Sequence, residues 1–383
     1  MLLSELARPT RHELIGRDVE VKELIYNSRK VKNGDVFCCI VGTFADGHKY
    51  AQQAVDAGAA ALVVERKLDI DVPQILVEDT RIAMAEMAAA YYGYPSREMQ
   101  MIGVTGTNGK TSTTYMLKAI AERMGKKVGL IGTIRNMIGD IIIDTERTTP
   151  ESVDLQRILR QMKDEKVDVV IMEVSSHSLD QKRVHGIEYD VGEFTNLTQD
   201  HLDYHKTFEN YFNAKKLLFK QSRMAVINKD DPYANRMMEG LDIPVMTFGI
   251  RENADVTAEI DITTRGVQFD FNYKNITSRF NVPIPGLFSV FNAIGAATVA
   301  LSLGWNLDSI KYGLEHMMSV SGRLEPLPTG KNEFTVLLDY ARTPDALENV
   351  LKTVKGLPSV SWNTENLPAC SCVTLPSLLS FWA

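Results

Sequence analysis

An apolar run, Met101-Ile-Gly-Val-Thr105, leads into Gly106-Thr107-Asn108-Gly109-Lys110-Thr111-Ser112, and a helical pattern starts after Lys110. Strand, glycine turn and helix in that order leave the backbone amides of a helix N-terminus free to cradle a polyphosphate. A lysine there reaches the phosphates, and the threonine after it reaches Mg²⁺. The glycines let the backbone come close. The strict phosphate-loop pattern asks for a glycine five positions before Gly109, where this chain has Val104; Gly106 lies three before it, so the match is to a shorter variant. The segment predicts an ATP or GTP site, the plain alternative being a glycine turn with a surface lysine.

The surroundings of this loop set the fold class. Met101–Thr105, a helix after Lys110, Lys127-Val-Gly-Leu-Ile131, a helix after Pro150 and Val167-Asp-Val-Val-Ile-Met172 alternate, as in a parallel sheet wrapped by helices. Thr149-Pro150-Glu151 reads as a helix start, with the threonine oxygen capping free amides and Thr148-Thr149 at the positive helix end. Met224–Asn228 predicts a further strand, residues 255–285 an antiparallel region, and Asn292–Leu303 a helix. Before Tyr94-Pro95-Ser96, strand signals at Asp35–Ile40 and Ala60–Val64 and a helical run over Thr80–Tyr92 form a separate unit. At roughly 100–200 residues per domain, 383 residues give two or three domains. The boundaries expected are 1–98, 99–332 and 333–383, in an α/β architecture.

Composition narrows the partners. A net charge of −7, from 42 Lys plus Arg against 49 Asp plus Glu, supplies no basic field for a nucleic-acid backbone. No run of apolar residues is long enough to span a bilayer and the start lacks a signal-type apolar region, so a cytoplasmic protein is expected. Cys38-Cys39 and Cys370/Cys372 are too close within each pair for a disulfide framework or a four-ligand zinc spacing, which predicts reduced, packed thiols. Residues 356–383 differ in kind, with three prolines, two of three tryptophans, two of four cysteines and Glu365 as the one charge. That shift suggests a frameshifted or truncated reading of a longer protein.

Three further features carry chemistry. Glu173 ends an apolar strand, which puts its carboxylate at the sheet's carboxyl edge, where it can serve Mg²⁺ or stay a solvated acid. Ser175-Ser176-His177 and Gln181-Lys182-Arg183 gather polar donors beyond the same edge. Asn196-Leu-Thr-Gln-Asp200-His201-Leu-Asp203-Tyr-His205 follows the strand-like Val191–Thr195, and His201, Asp203 and His205 could ligate a metal or simply sit in a loop. Without HExxH or a cysteine set, a zinc hydrolase is disfavoured. Phe208, Tyr211, Phe212, Leu218 and Phe219 form an apolar helical stripe whose missing position is Lys215. That lysine either snorkels to water or loses its charge on burial. A neutral lysine can add CO₂ and become a carbamate, a ligand for Mg²⁺.

Gly106–Ser112, Glu173-Val-Ser-Ser-His177, Thr195–His205, Ala214-Lys215, Gly322-Arg323 and Asp339-Tyr-Ala341 stand in the order and spacing of the Mur ligase family. Over about residues 1–355 the chain resembles that family's MurE type. The resemblance implies a UDP-binding N-terminal α/β domain, a central phosphate-loop ATPase domain and the remnant of a third. It implies an ATP-dependent amide ligase that adds meso-diaminopimelate or L-lysine to UDP-N-acetylmuramoyl-L-alanyl-D-glutamate through an acyl phosphate, in peptidoglycan synthesis, as a cytoplasmic monomer. By the same resemblance, Gly106, Thr107, Asn108, Gly109, Lys110, Thr111 and Ser112 bind ATP phosphates. Asn292, Arg323 and Asp339 contact the adenine, γ-phosphate and ribose regions. Thr111 and Glu173 serve one Mg²⁺, His201 and carbamylated Lys215 a second. Lys110, Lys215, His201 and Arg323 form the catalytic set, while Ser28, Thr148, Thr149, Ser175, Gln181 and Arg183 hold the UDP-muramoyl dipeptide. The chain departs from the family at Arg342, where the family has histidine, and after about Lys355, where the third domain is expected to continue. Two competing readings remain: a module that binds UDP-substrate and ATP without turnover, and a folylpolyglutamate synthase-like ligase, against which Thr148-Thr149-Pro150 and Gln181-Lys-Arg183 weigh.

Overall fold

Two sheets divide the chain in sequence order. A computed structural model describes residues 1–42, 45–144, 147–263, 266–327 and 336–356. The tail with Cys370 and Cys372, and all but 336–356 of the expected third segment, lie outside the described residues.

The first sheet has five strands in the order Glu13–Ile15, Gln74–Leu76, Ala61–Val64, Val36–Cys38 and Leu24–Ile25. They run parallel except for Glu13–Ile15. Ala61–Val64 is buried along its whole length, as expected of a strand covered on both faces. The helix Thr80–Tyr91 packs here through Ala83, Met84, Met87 and Ala88, with Asp79 as its N-cap accepting from the amides of Arg81 and Ile82. Cys38 and Cys39 are buried free thiols, and burial drives both pKa values up, that of Cys39 to about 12.

After the short turn Pro95–Glu98 the chain enters a sheet of eleven strands. Its parallel centre runs Val128–Ile131, Val169–Glu173, Gln100–Thr105, Val191–Phe194, Ala225–Asn228, Val245–Gly249 and Val256–Thr263. One margin is the antiparallel run through Gly266–Tyr273 and Ile276–Val282, the other the hairpin Asn136–Ile138 and Ile141–Ile143. The mostly parallel α/β sheet expected from the alternation is borne out. The expected helix at Asn292 begins earlier, at Leu287, and runs to Ser302: Phe288 and Val290 add to its apolar character, and Gly286, at φ +99°, makes the entry turn. The chain then closes on a two-stranded ribbon, Glu325–Leu327 with Val336–Leu338, and the helix Pro344–Gly356.

One capping expectation fails. The helix after Pro150 starts at Ser152 with Glu151 as its N-cap and no side-chain cap. Thr149 Oγ1 instead donates to the carbonyl of Glu173 at 2.9 Å, a backbone acceptor that would otherwise be left buried at the strand end.

Candidate active site

Gln100–Thr105 and Val169–Glu173 are parallel neighbours with Glu173 opposite Val104, so the glycine loop and the acid leave the sheet side by side. Gly106 and Gly109 have φ of +152° and +90°. A Cβ on Gly106 would collide with Thr195 Oγ1, and one on Gly109 would sit 2.5 Å from Asn292 Oδ1; both positions therefore require glycine. The segment after Val191–Phe194 braces the loop. Asn108 N donates to Asn196 Oδ1 at 2.9 Å, Thr195 Oγ1 to Asn108 O at 2.6 Å and Thr107 Oγ1 to Thr198 O at 3.1 Å.

Two lysines meet at one carbonyl. Lys110 Nζ donates to Gly106 O and Thr107 O, each at 2.8 Å, and Lys215 Nζ donates to the same Gly106 O at 2.7 Å. Lys215 sits on the helix Phe208–Lys216, whose N-cap Thr207 accepts from Asn210 N. It is 1% exposed, so it does not snorkel to water. Burial, and then the neighbouring Lys110 charge, push its pKa well below the ordinary lysine value. Burial lowers that of Lys110 too.

On the other side of the loop, hydrogen bonds converge on the buried Glu173. Its Oε1 accepts from Thr111 Oγ1 at 3.0 Å and from Thr133 N at 2.8 Å, and its Oε2 from Thr133 Oγ1 at 3.0 Å. Arg323 Nη2 donates to Thr111 Oγ1 at 3.1 Å, and Thr148 Oγ1 lies 3.0 Å from Thr133 Oγ1. Beyond Thr149, Arg183 bonds Thr149 O at 3.1 Å and Gln181 Oε1 at 3.0 Å. The buried Glu151 carboxylate pairs with Arg183 at 3.1 Å, with Arg81 at 3.5 Å and with Arg147. Because Arg81 belongs to the first sheet's helix, this ion cluster joins the two sheets.

The histidines do not form the metal set that their spacing suggested. The segment folds into the one-turn helix Leu202–His205 with His201 at its N-cap, in the left-handed region at φ +52°. His205 Nε2 lies 2.9 Å from Ser176 Oγ, His201 pairs with Asp200 at 3.3 Å, and Asp203 is exposed. Among the described residues no three or more His, Cys, Asp or Glu side chains converge to hold a metal ion. His177 packs its ring against those of His201, Tyr204 and His205, at 4.7, 4.3 and 5.4 Å between centroids. Burial lowers all three histidine pKa values, that of His177 to about 4.

Comparison with known proteins bears on this arrangement. The profile described as the Mur ligase middle domain matches residues 104–300, and that of the Mur ligase family catalytic domain matches residues 20–92. The chain is 48% identical over 343 residues to the UDP-N-acetylmuramoyl-L-alanyl-D-glutamate--2,6-diaminopimelate ligase of Clostridium botulinum, a match covering 88% of this chain and 71% of that protein. The chain belongs to the Mur ligase family. A solved structure of a ligase with that same name superposes with a TM-score of 0.80 at 27% identity, covering 94% of this chain and 75% of that one. Folylpolyglutamate synthase of Mycobacterium tuberculosis shares the fold, with a TM-score of 0.60 at 20% identity, covering 72% of this chain and 70% of that one.

Within this Mur ligase the remaining expected site residues fall in two places. Asn292, Arg323, Ser112, Thr148, Thr149, Ser175, Gln181 and Arg183 surround or adjoin the loop and Glu173. Ser175 caps the helix Ser176–Asp180, and Gln181 Nε2 donates to Tyr204 OH at 3.0 Å. Asp339 spends both oxygens on backbone, accepting from Leu324 N and Ala341 N at 2.8 Å each, and so fixes the turn that carries Arg323. Ser28 stands apart on the first sheet's turn Ser28–Lys30, where its hydroxyl donates to Gln53 Oε1 at 3.3 Å. Sequence reasoning missed Thr133, Glu151, Arg81 and Asp345, whose Oδ2 accepts from Asn108 Nδ2 at 2.9 Å. Gly132-Thr133 directly follows an apolar strand, the position that drew attention to Glu173, and was the available signal.

Among the described residues no helix is long and apolar enough to cross a membrane.

Proposed function

We propose that this Mur ligase joins meso-diaminopimelate to the D-glutamyl carboxylate of UDP-N-acetylmuramoyl-L-alanyl-D-glutamate at the expense of ATP, as a cytoplasmic monomer. The carrying observation is the convergence of Thr111 on Glu173 beside a loop carbonyl that receives both Lys110 and Lys215. Residues 1–98, with Ser28, would hold the uridine end, residues 99–332 the nucleotide and the reacting centre, and residues from 333 begin a third segment.

The donor set suits a hard divalent cation. Among the described residues the hydrogen bonds to Glu173 come from Thr111 and Thr133, neutral donors, so no cationic side chain is bonded directly to its carboxylate. Thr111 and Glu173 would hold one Mg²⁺. A second would sit by His201 and Lys215, the latter as its carbamate: a buried amine with lowered pKa, in no salt bridge among the described residues and beside Lys110, is suited to that modification. Bound Mg²⁺ supplies charge neutralisation to the phosphates and to the attacking carboxylate.

The chain's own groups do the rest. The amides of Gly106 to Ser112 seat the phosphates, with Asn292 toward the adenine and Asp339 toward the ribose. Lys110 swings from Gly106 O to the β,γ-phosphates, and Arg323, already beside Thr111, faces the γ-phosphate. Thr148, Thr149, Ser175, Gln181 and Arg183 orient the dipeptide so that its γ-carboxylate meets the γ-phosphorus in line. The acyl phosphate formed is then attacked by the amine, and phosphate leaves. Electrostatic complementarity is the main lever, since two anions must meet.

The test is mass spectrometry of products after incubation with Mg-ATP, bicarbonate, the UDP-dipeptide and either meso-diaminopimelate or L-lysine. A diaminopimelyl tripeptide is expected. A lysyl product would change the amine, and no product beside an active relative would reject turnover.

A further inference from the structure

We propose that Thr133 is a positioning residue that couples the nucleotide site to the acceptor site; the inference rests on the functional reading above. Thr133 lies just past the strand Val128–Ile131, between two groups that belong to different ligands. Its backbone amide and its hydroxyl grip the two oxygens of Glu173, at 2.8 and 3.0 Å, and its hydroxyl also lies 3.0 Å from that of Thr148. Arg323, Thr111, Glu173, Thr133 and Thr148 thus form one unbroken chain of hydrogen bonds from the γ-phosphate residues to the acceptor residues.

The chain has a direction. A carboxylate only accepts, so the single hydroxyl proton of Thr133 is committed to Glu173 Oε2. Thr148 must then donate to Thr133, and it turns only lone pairs toward a ligand. Thr111 and Glu173 would hold the cation that accompanies the nucleotide; with the carboxylate so held, Thr133 would fix both the rotamer and the hydrogen-bond polarity of Thr148. Nucleotide binding therefore preorganises the acceptor site, and linkage requires the acceptor to tighten the nucleotide equally. Thr133 is exposed at the site rather than packed in the core, so removing its hydroxyl disturbs the chain of bonds more than the fold.

The experiment measures the affinity of the full chain for UDP-N-acetylmuramoyl-L-alanyl-D-glutamate by calorimetry, with and without Mg²⁺ and a non-hydrolysable ATP analogue. The proteins are wild type, Thr133→Val, Thr133→Ala and Thr133→Ser, each checked for an unchanged Tm. Wild type and Thr133→Ser are expected to bind the acceptor at least about five-fold more tightly with nucleotide present. Thr133→Val and Thr133→Ala should keep at most about two-fold. The through-space attraction between cation and acceptor is the same in all four, so the difference isolates the hydroxyl. Equal factors in wild type and Thr133→Val, or loss of the factor in Thr133→Ser, overturn the proposal. Failure of wild type to bind the dipeptide at all would instead overturn the functional reading, and the coupling with it.

Discussion

Lys215 and Glu193 are both wholly buried ionisable side chains, and they lie on opposite faces of the same parallel sheet. Glu193 and Phe194 are consecutive on the strand Val191–Phe194, so their side chains point to opposite faces. Phe194 packs with Tyr211 and Phe212 of the Lys215 helix, whereas Glu193 faces Gly295 of the helix Leu287–Ser302. Lys215 delivers its amine to Gly106 O, inside the site. Both carboxyl oxygens of Glu193 lack a hydrogen-bond partner among the described residues. Burial drives the two pKa values in opposite directions, that of Lys215 well down and that of Glu193 up to about 8, so each is pushed toward its neutral form by the same cause. Burial and a shifted pKa therefore do not mark function by themselves; what separates the two is where the polar atom arrives.

The sharpest way to break this contrast is to remove Glu193. Its folded pKa lies above the ordinary 4.5, so folding takes up a proton between about pH 4.5 and 8. The contribution of Glu193 to stability is expected to fall across that window as pH rises, by roughly 5 kcal/mol in all, against the opposite slope that the lowered pKa values of His177, His201 and His205 add to wild type and variant alike. Glu193→Leu should remove this contribution, so that the difference between variant and wild type grows with pH and Tm is raised most at pH 8 to 9, with nucleotide affinity kept. Thermal unfolding of both proteins from pH 4 to 9 checks it, and parallel pH profiles would show that Glu193 has a partner after all.

Lys215→Met should do the reverse. It fills the same space without an amine, so Tm holds or rises, while turnover measured by phosphate release falls roughly 10²–10³-fold. With ¹³C-bicarbonate, wild type should show a carbamate resonance that the variant lacks. A variant with full turnover would place Lys215 beside Glu193 as a merely buried group.

The contrast also shows how far the sequence could be read. Lys215 was legible because it interrupts a helical stripe of Phe208, Tyr211, Phe212, Leu218 and Phe219, and a break in a regular pattern is visible in one dimension. The phosphate loop and Glu173 were legible for the same reason, each following an apolar run. Glu193 was not, because a two-residue alternation around a lone acid in Val191–Phe194 also describes a half-exposed strand. Nor was the fate of Thr149: its signature fits an N-cap, and only the neighbouring strand supplies the Glu173 carbonyl that claims the hydroxyl. The His201, Asp203 and His205 spacing misled because a single helical turn with a left-handed entry separates side chains that the sequence sets close together.

A smaller effect probes the Glu193 side directly. A Cβ on Gly295 would collide with Glu193 Oε1 and approach Phe248 Cζ to 3.0 Å, so Gly295→Ala should cost about 1–3 kcal/mol by overpacking. In a Glu193→Ala background the first collision is gone, and the same change should cost at least about 1 kcal/mol less. Urea unfolding of the four proteins closes the cycle. Strict additivity would mean that the carboxyl does not fill the space the glycine leaves.

The smallest expected effect concerns Arg342, where the family resemblance leads one to expect histidine. Arg342 is exposed, and its guanidinium lies 5.0 Å from the Tyr340 ring centroid, the same ring that Arg323 approaches to 6.0 Å. An exposed stacking of this kind contributes about 0.5–1 kcal/mol, so Arg342→His should lower stability by no more than that. The distinguishing readout is electrostatic. Arginine stays charged at every accessible pH, whereas a histidine there loses its charge near pH 6.5. Nucleotide affinity of Arg342→His should therefore match wild type at pH 6 and fall about two-fold below it at pH 8, a difference that 0.5 M salt should erase. An unchanged ratio between the two pH values would place Arg342 outside the field of the phosphates. Lys110 and Arg323, which bond the loop carbonyls and Thr111, would then be the cations that matter, and placement at the loop rather than proximity in sequence would decide which charges act.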